Sequence, residues 1–229
     1  MSIDQAVETY LHPADFIDSD APAVAAFAAR AGGDTGDPVG RAVRLYCAVR
    51  DDIVYTPYCD FSSPETFRAS ACAARGSGFC VAKAALLAAV ARACRIPARV
   101  GFADVRNHLA TARLRALMGG DVFVYHGYAD LYLDGRWVKA TPAFDRGLCE
   151  RFGVQPLEFD GRADSLFHPY DAAGRRHMEY VRDRGTAIDV PAAEIMAAFR
   201  AFYPGLVARG ADHEGTRFRR EAEESHRPG

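Results

Sequence analysis

Three features of the 229-residue sequence predict an α+β fold in which one buried helix packs against an antiparallel sheet. Residues 80–94 are apolar at nearly every position, interrupted by Lys83 and Arg92, so this helix belongs in the middle of a core and not on its surface. Residues 122–141 alternate around Asp134-Gly135, a pair suited to a type I′ turn, and read as a β-hairpin. Between these segments, Ile96-Pro97 ends the helix and residues 99–105 read as a strand.

Upstream, Ser19 and Asp20 precede an alanine-rich helix that stops at Gly32 and Gly33. Pro38 opens a second helix running to about Asp52. Residues 53–56 are extended, and Ser63-Pro64 starts a short helix over residues 66–73, the serine capping and the proline first inside. Glycines 76 and 78 then turn the chain into the buried helix. After the hairpin, residues 146–212 are dense in Pro, Gly and Asp and read as an extension wrapped on the same domain, ending in an amphipathic helix with Ile195, Met196, Phe199 and Phe202 on its packing face. Within that extension Asp160, His168 and His177 are candidates for a pocket rim, each equally readable as structural. The expectation is one domain over residues 1–212, with a charged tail, residues 213–229, that frays or packs only on a partner.

Composition excludes several classes. With 49% hydrophobic and 25% charged residues the chain is an ordinary globular protein. A net charge of −2 gives no overall attraction for nucleic acid or anionic membranes. The first residues lack a basic segment followed by an apolar stretch, and no uncharged apolar run reaches about 18 residues, so a cytoplasmic protein with no membrane partner is expected. Six cysteines, at 47, 59, 72, 80, 94 and 149, are then expected as reduced thiols. The spacings that hold zinc, C-x-x-C and H-x-x-x-H, are absent, and neither a metal nor a cofactor is expected.

One thiol stands apart. Cys80 begins the buried helix, where the macrodipole and unpaired N–H groups favour a thiolate and can hold an oxyanion. A small buried cysteine that only fills space is the alternative. The hairpin supplies a histidine. With Asp134 and Gly135 as loop residues, Tyr132 faces Trp137, Tyr128 faces Thr141 and His126 faces Ala143, so Thr141 is the diagonal neighbour of His126. A sheet packed on the helix can bring His126 to Cys80. Asp130 shares that face but lies about 13 Å along the strand from His126, at 3.3 Å per residue. Asn107 and His108 form a polar cluster at the end of the strand before the hairpin, either near the thiol or a solvated turn. Tyr55 and Tyr58 either line a pocket or only pack.

Gly78-Phe79-Cys80, then Arg95-Ile96-Pro97-Ala98-Arg99-Val100-Gly101, His126-Gly127-Tyr128 and Trp137-Val138-Lys139-Ala140-Thr141-Pro142 occur in this order over about residues 50–145. Together they resemble the transglutaminase-like superfamily of papain-like cysteine enzymes, including its bacterial members. The resemblance implies the papain-like, transglutaminase-core fold, with Cys80 as nucleophile and His126 as its base. The family's aspartate position falls on Thr141, which carries no charge; Asp145, just beyond Pro142, is the substitute candidate, and Thr141 through its hydroxyl is the other. The Cys80 N–H and a donor from the preceding segment, Tyr55 or Tyr58, are candidates for the oxyanion site, and Gly78, Asn107, His108 and Tyr128 for contacts with substrate. The implied chemistry is acyl transfer on a peptide, protein or small amide, resolved by water in a protease or amidase or by an amine in a transglutaminase. Two alternatives stand beside it: a binding module that keeps the fold without turnover, and a redox sensor built on Cys80. The sequence does not specify an oligomeric state.

Overall fold

The computed structural model describes residues 7–33, 36–108, 110–166, 178–210 and 217–226. After a 3-10 turn, Thr9–Leu11, come two α-helices, α1 (Pro22–Gly32) and α2 (Pro38–Asp52). The Asp37 carboxylate caps α2 by accepting from the N–H groups of Val39 and Gly40. Strand β1 (Val54–Tyr55) pairs in parallel with β2 (Ser77–Gly78). Between them the expected single helix is split into a 3-10 turn, Pro64–Phe67, and α3 (Ala69–Arg75), with Arg68 extended at the junction. The N-terminal segment explains the split: Phe16 O and the Asp18 carboxylate accept from the N–H groups of Ala69 and Ser70, so these donors need no preceding helical turn.

Gly76, at φ +65°, closes α3 in the left-handed conformation that glycine adopts without strain, and the chain passes into α4 (Cys80–Ala93). Every residue of α4 from Cys80 to Arg92 is buried. The helix packs on α1, α2 and α3 and, across its other side, on strands β3 (Ala98–Asn107) and β4 (Val122–Leu133). Leucines 86 and 87, both fully buried, contribute about 1.5–3 kcal/mol each relative to exposure. The two cations are accommodated by carbonyls. Lys83 Nζ donates to Arg50 O (2.9 Å) and Ile53 O (2.6 Å), satisfying carbonyls at the C-terminal end of α2. Arg92 donates to the carbonyls of Ala98, His12 and Ile188, tying the N-terminal segment to the sheet. Burial lowers both, Lys83 to about 8 and Arg92 to about 10.

Short helix α5 (Ala112–Met118) links β3 to β4, and β4 turns at Asp134-Gly135 into β5 (Arg136–Ala140). The observed register pairs Leu133 with Arg136, Tyr132 with Trp137 and Ala129 with Ala140, as the turn residues predict. Helix α6 (Arg146–Phe152) follows. The sheet order is β5-β4-β3-β6, antiparallel throughout. Its last strand, β6 (Met178–Ala187), comes from the extension, where the sequence reading assigned no particular strand. The strand lies at the sheet edge with most side chains exposed, so it carries no apolar alternation to betray it.

Helices α7 (Ala192–Phe202) and α8 (Pro204–Arg209) return across the molecule. A correction concerns the tail. Residues Arg217–His226 form helix α9, which packs on α6 with Phe218 and Ala222 buried. Arg219 and Arg151 make ion pairs across this contact, to Asp145 and Glu223. No helix among the described residues is long and apolar enough to cross a membrane.

Candidate active site

Cys80 is the first residue of α4, and Phe79 at the N-cap offers no side-chain acceptor to the first turn. The helix therefore presents its N–H groups to the thiol. Burial pushes the thiol up to about 11, although backbone N–H groups of Gly127, Val81 and Cys80 itself pull the other way. Gly127 places β4 against the helix start. A Cβ there would stand 2.8 Å from Val81 Cα, backbone that cannot yield, so glycine is what permits this approach.

His126, one residue earlier, is 5% exposed and lines the same pocket as Cys80. Burial lowers its imidazole to about 4. Burial thus favours the neutral form of both groups.

The pocket is narrow, about 30 Å³, room for one or two waters. Apart from Cys80 and His126 its lining is apolar or aromatic. Phe61 and Phe79 come from around the helix start, Leu114 and Met118 from α5, Phe123 and Val124 from β4, and Phe199, Tyr203 and Leu206 from α7, α8 and the link between them. Phe199 meets both Phe61 and Phe79 edge-on at 5.0 and 6.2 Å. None of these C-terminal residues is a candidate from sequence. The helical spacing of Phe199 marks it as a packing residue, and nothing in that spacing says that it packs over a thiol.

Tyr55 belongs to this site. The β1–β2 pairing sets it opposite Gly78, two residues before Cys80, and its ring lines the pocket. Burial first, and the neighbouring Cys80 thiol second, push its hydroxyl well up, so it stays a proton donor. Its N–H donates to Asp145 Oδ2 at 3.1 Å and its ring meets Phe144 edge-on.

The other candidates lie elsewhere. Tyr58 is turned away: its hydroxyl donates to Glu221 at 2.5 Å, which removes it as an oxyanion donor. Gly78 is a packing position, since a Cβ would meet Cys72 Sγ at 2.9 Å. Asn107 is the last residue of β3, with its N–H on Asp121 O, and His108 Nε2 lies 2.8 Å from the Glu179 carboxylate; neither lines the pocket. Tyr128 covers Gly101, with the Lys139 ammonium 5.2 Å from its ring centroid, outside the pocket. Asp160 caps the turn at Arg162 and Ala163. His168 and His177 fall outside the described residues.

Neither third-member candidate is hydrogen-bonded to His126. Asp145 is the N-cap of α6, and its carboxylate accepts from Leu148 N–H, Tyr55 N–H and Arg219. Thr141 is buried, and its hydroxyl has no hydrogen-bond partner among the described residues. Among the described residues no cluster of His, Cys, Asp and Glu is arranged to hold a metal ion.

The model of the transglutaminase-like superfamily matches residues 25–142, slightly more than half of the chain. Among solved structures, one from Cytophaga hutchinsonii described as a "putative cysteine protease" superposes with a TM-score of 0.51 at 17% identity, over 84% of this chain and 50% of that one. The chain thus spans half the length of that protein, and the likeness is one of fold. No curated protein matches. With the family model covering both the thiol-bearing helix and the histidine strand, the chain belongs to the transglutaminase-like superfamily and has its papain-like core.

Proposed function

We propose that this protein is a cysteine-dependent acyl-transfer enzyme acting on amide bonds of a peptide, a protein or a small amide. The observation that carries the reading is the meeting of Cys80, at an uncapped helix start, and His126 in one apolar pocket. His126 takes the thiol proton as sulfur bonds to the carbonyl carbon. The imidazolium then protonates the leaving amine as the C–N bond breaks, leaving a thioester on Cys80. Water, activated by the neutral imidazole, cleaves the thioester and the thiol regains its proton. The Cys80 N–H and the Tyr55 hydroxyl are the donors for the oxyanion, each worth about 3 kcal/mol in such a role.

Hydrolysis is preferred over transamidation because no acceptor site for an amine is legible. A second reading, a binding module without turnover, is favoured by one observation: Thr141, which carries no charge, stands where the family has its aspartate. The cytoplasm as the place of action fits six unpaired thiols. Neither a cofactor nor a nucleic acid or membrane partner enters this reading.

The test is alkylation with limiting iodoacetamide, the adduct located by mass spectrometry, followed by turnover of a panel of peptide amides with and without added amine. Selective capture of Cys80, lost in His126→Ala, with amide cleavage supports the enzyme. Uniform slow labelling of all six cysteines sinks it, and selective labelling without turnover supports the binding module.

A further inference from the structure

The backbone immediately before His126 is irregular. Ala103 pairs with His126 and Val105 with Phe123, so Val124 and Tyr125 together oppose the single residue Asp104. This is a β-bulge, a device that re-aims the side chain beside it. At Tyr125 φ is +56°, a conformation that a non-glycine residue holds only when its surroundings enforce it.

The enforcing groups are side chains. Asp104 Oδ1 accepts from the Tyr125 N–H at 3.1 Å. Arg184, on β6, grips the same carboxylate with Nε at 2.5 Å and Nη2 at 2.9 Å, and its guanidinium carbon lies 4.1 Å from the Tyr125 ring centroid. The other bulge amide, Val124 N–H, donates to the Tyr203 hydroxyl at 2.5 Å, which in turn donates to Val122 O. Both N–H groups freed by the bulge are thereby held by side chains, from β3 on one side and from the α7–α8 link on the other.

We propose that Asp104, clamped by Arg184, is a positioning residue that holds the Tyr125 bulge and so aims His126 at Cys80. The inference rests on His126 being the base. It assigns a role to an ion pair that includes the edge strand β6, a part of the chain beyond the residues matched by the family model.

The experiment uses the full chain and the second-order rate of Cys80 alkylation by iodoacetamide at neutral pH. Asp104→Ala is expected to slow it by on the order of tenfold, since small misplacement of a reacting group carries losses of that size and more. Asp104→Asn, which keeps the acceptor for Tyr125 N–H, stays within about threefold of the parent on the same scale. The diagnostic variant is Asp104→Ala/Tyr125→Gly: glycine adopts positive φ without help, so the double variant recovers most of the rate, which a merely structural role for Asp104 does not predict. Arg184→Ala, on the exposed strand, gives a milder loss with the same recovery and serves if Asp104→Ala fails to fold. Parent-like rates in Asp104→Ala or Arg184→Ala, with His126→Ala still slow, overturn the positioning role alone. So does a loss that Tyr125→Gly does not restore. An unchanged rate in His126→Ala overturns the base reading, and the positioning role with it.

Discussion

His126 ties reactivity to stability at the scale of one side chain. Its folded value is depressed to about 4 from 6.5, so between these pH values the unfolded chain binds the extra proton and the folded chain resists it. Its contribution to stability is therefore complete above pH 6.5 and is lost as pH falls toward 4. At about 1.4 kcal/mol for each pH unit separating the two values, this is on the order of 3 kcal/mol. Denaturant unfolding followed across pH 4–7 should show that decline, and His126→Gln should flatten this part of it. A decline identical in His126→Gln would place the titration elsewhere.

Single residues also show why sequence reading stops short at the third partner. The resemblance places the family's aspartate position on Thr141, and Asp145 just beyond Pro142 is the substitute candidate. Each is instead governed by what packs on it: a helix start, a strand amide and an arginine from α9 for Asp145, and burial with its backbone held by Ser165 and Tyr46 for Thr141.

Elements make Asp145 interpretable. It joins α6, β1 and α9 through one carboxylate, so its removal unties three pieces at once. Asp145→Ala should destabilise the protein by about 2–4 kcal/mol, combining a lost N-cap with an unsatisfied buried amide. Asp145→Asn, which still caps and still accepts, should lose less. Thermal unfolding of both variants, with Cys80 alkylation alongside, separates the roles. A carboxylate that orients His126 would instead leave stability of the Asn variant unchanged and cut its alkylation rate.

The hairpin, the buried helix and strand β3 were legible because short-range rules govern them: a two-residue turn sets register, and an all-apolar run has nowhere to go but the core. Strand β6 was not, because an edge strand paired through its backbone carries no apolar code. Helix α9 was hidden in the same way, its polar composition concealing that Phe218 and Ala222 seal a neighbour.

Over the whole molecule, the C-terminal third both closes the pocket and clasps the domain. Phe218 stacks near Tyr55, Tyr58 and Phe152, and Glu221 accepts from the hydroxyls of Tyr58 and Thr111. Deleting residues 211–229 should destabilise the protein by at least about 3 kcal/mol, the usual cost of losing one buried phenylalanine. A frayed tail would give no change in the midpoint of unfolding by denaturant.

Local periodicity and turn chemistry were enough to define the helix with its leading thiol and the histidine-bearing hairpin, and the order of motifs along the chain carried the resemblance to the superfamily. Folding in three dimensions settled the remainder. It brought Tyr55 and the apolar residues of α5, α7 and α8 around the thiol, turned Tyr58, His108 and Tyr128 away, committed Asp145 to structural partners, and built the bulge at Tyr125. Each of these depends on which distant groups meet and which buried polar atoms they satisfy, and no spacing along one chain encodes that.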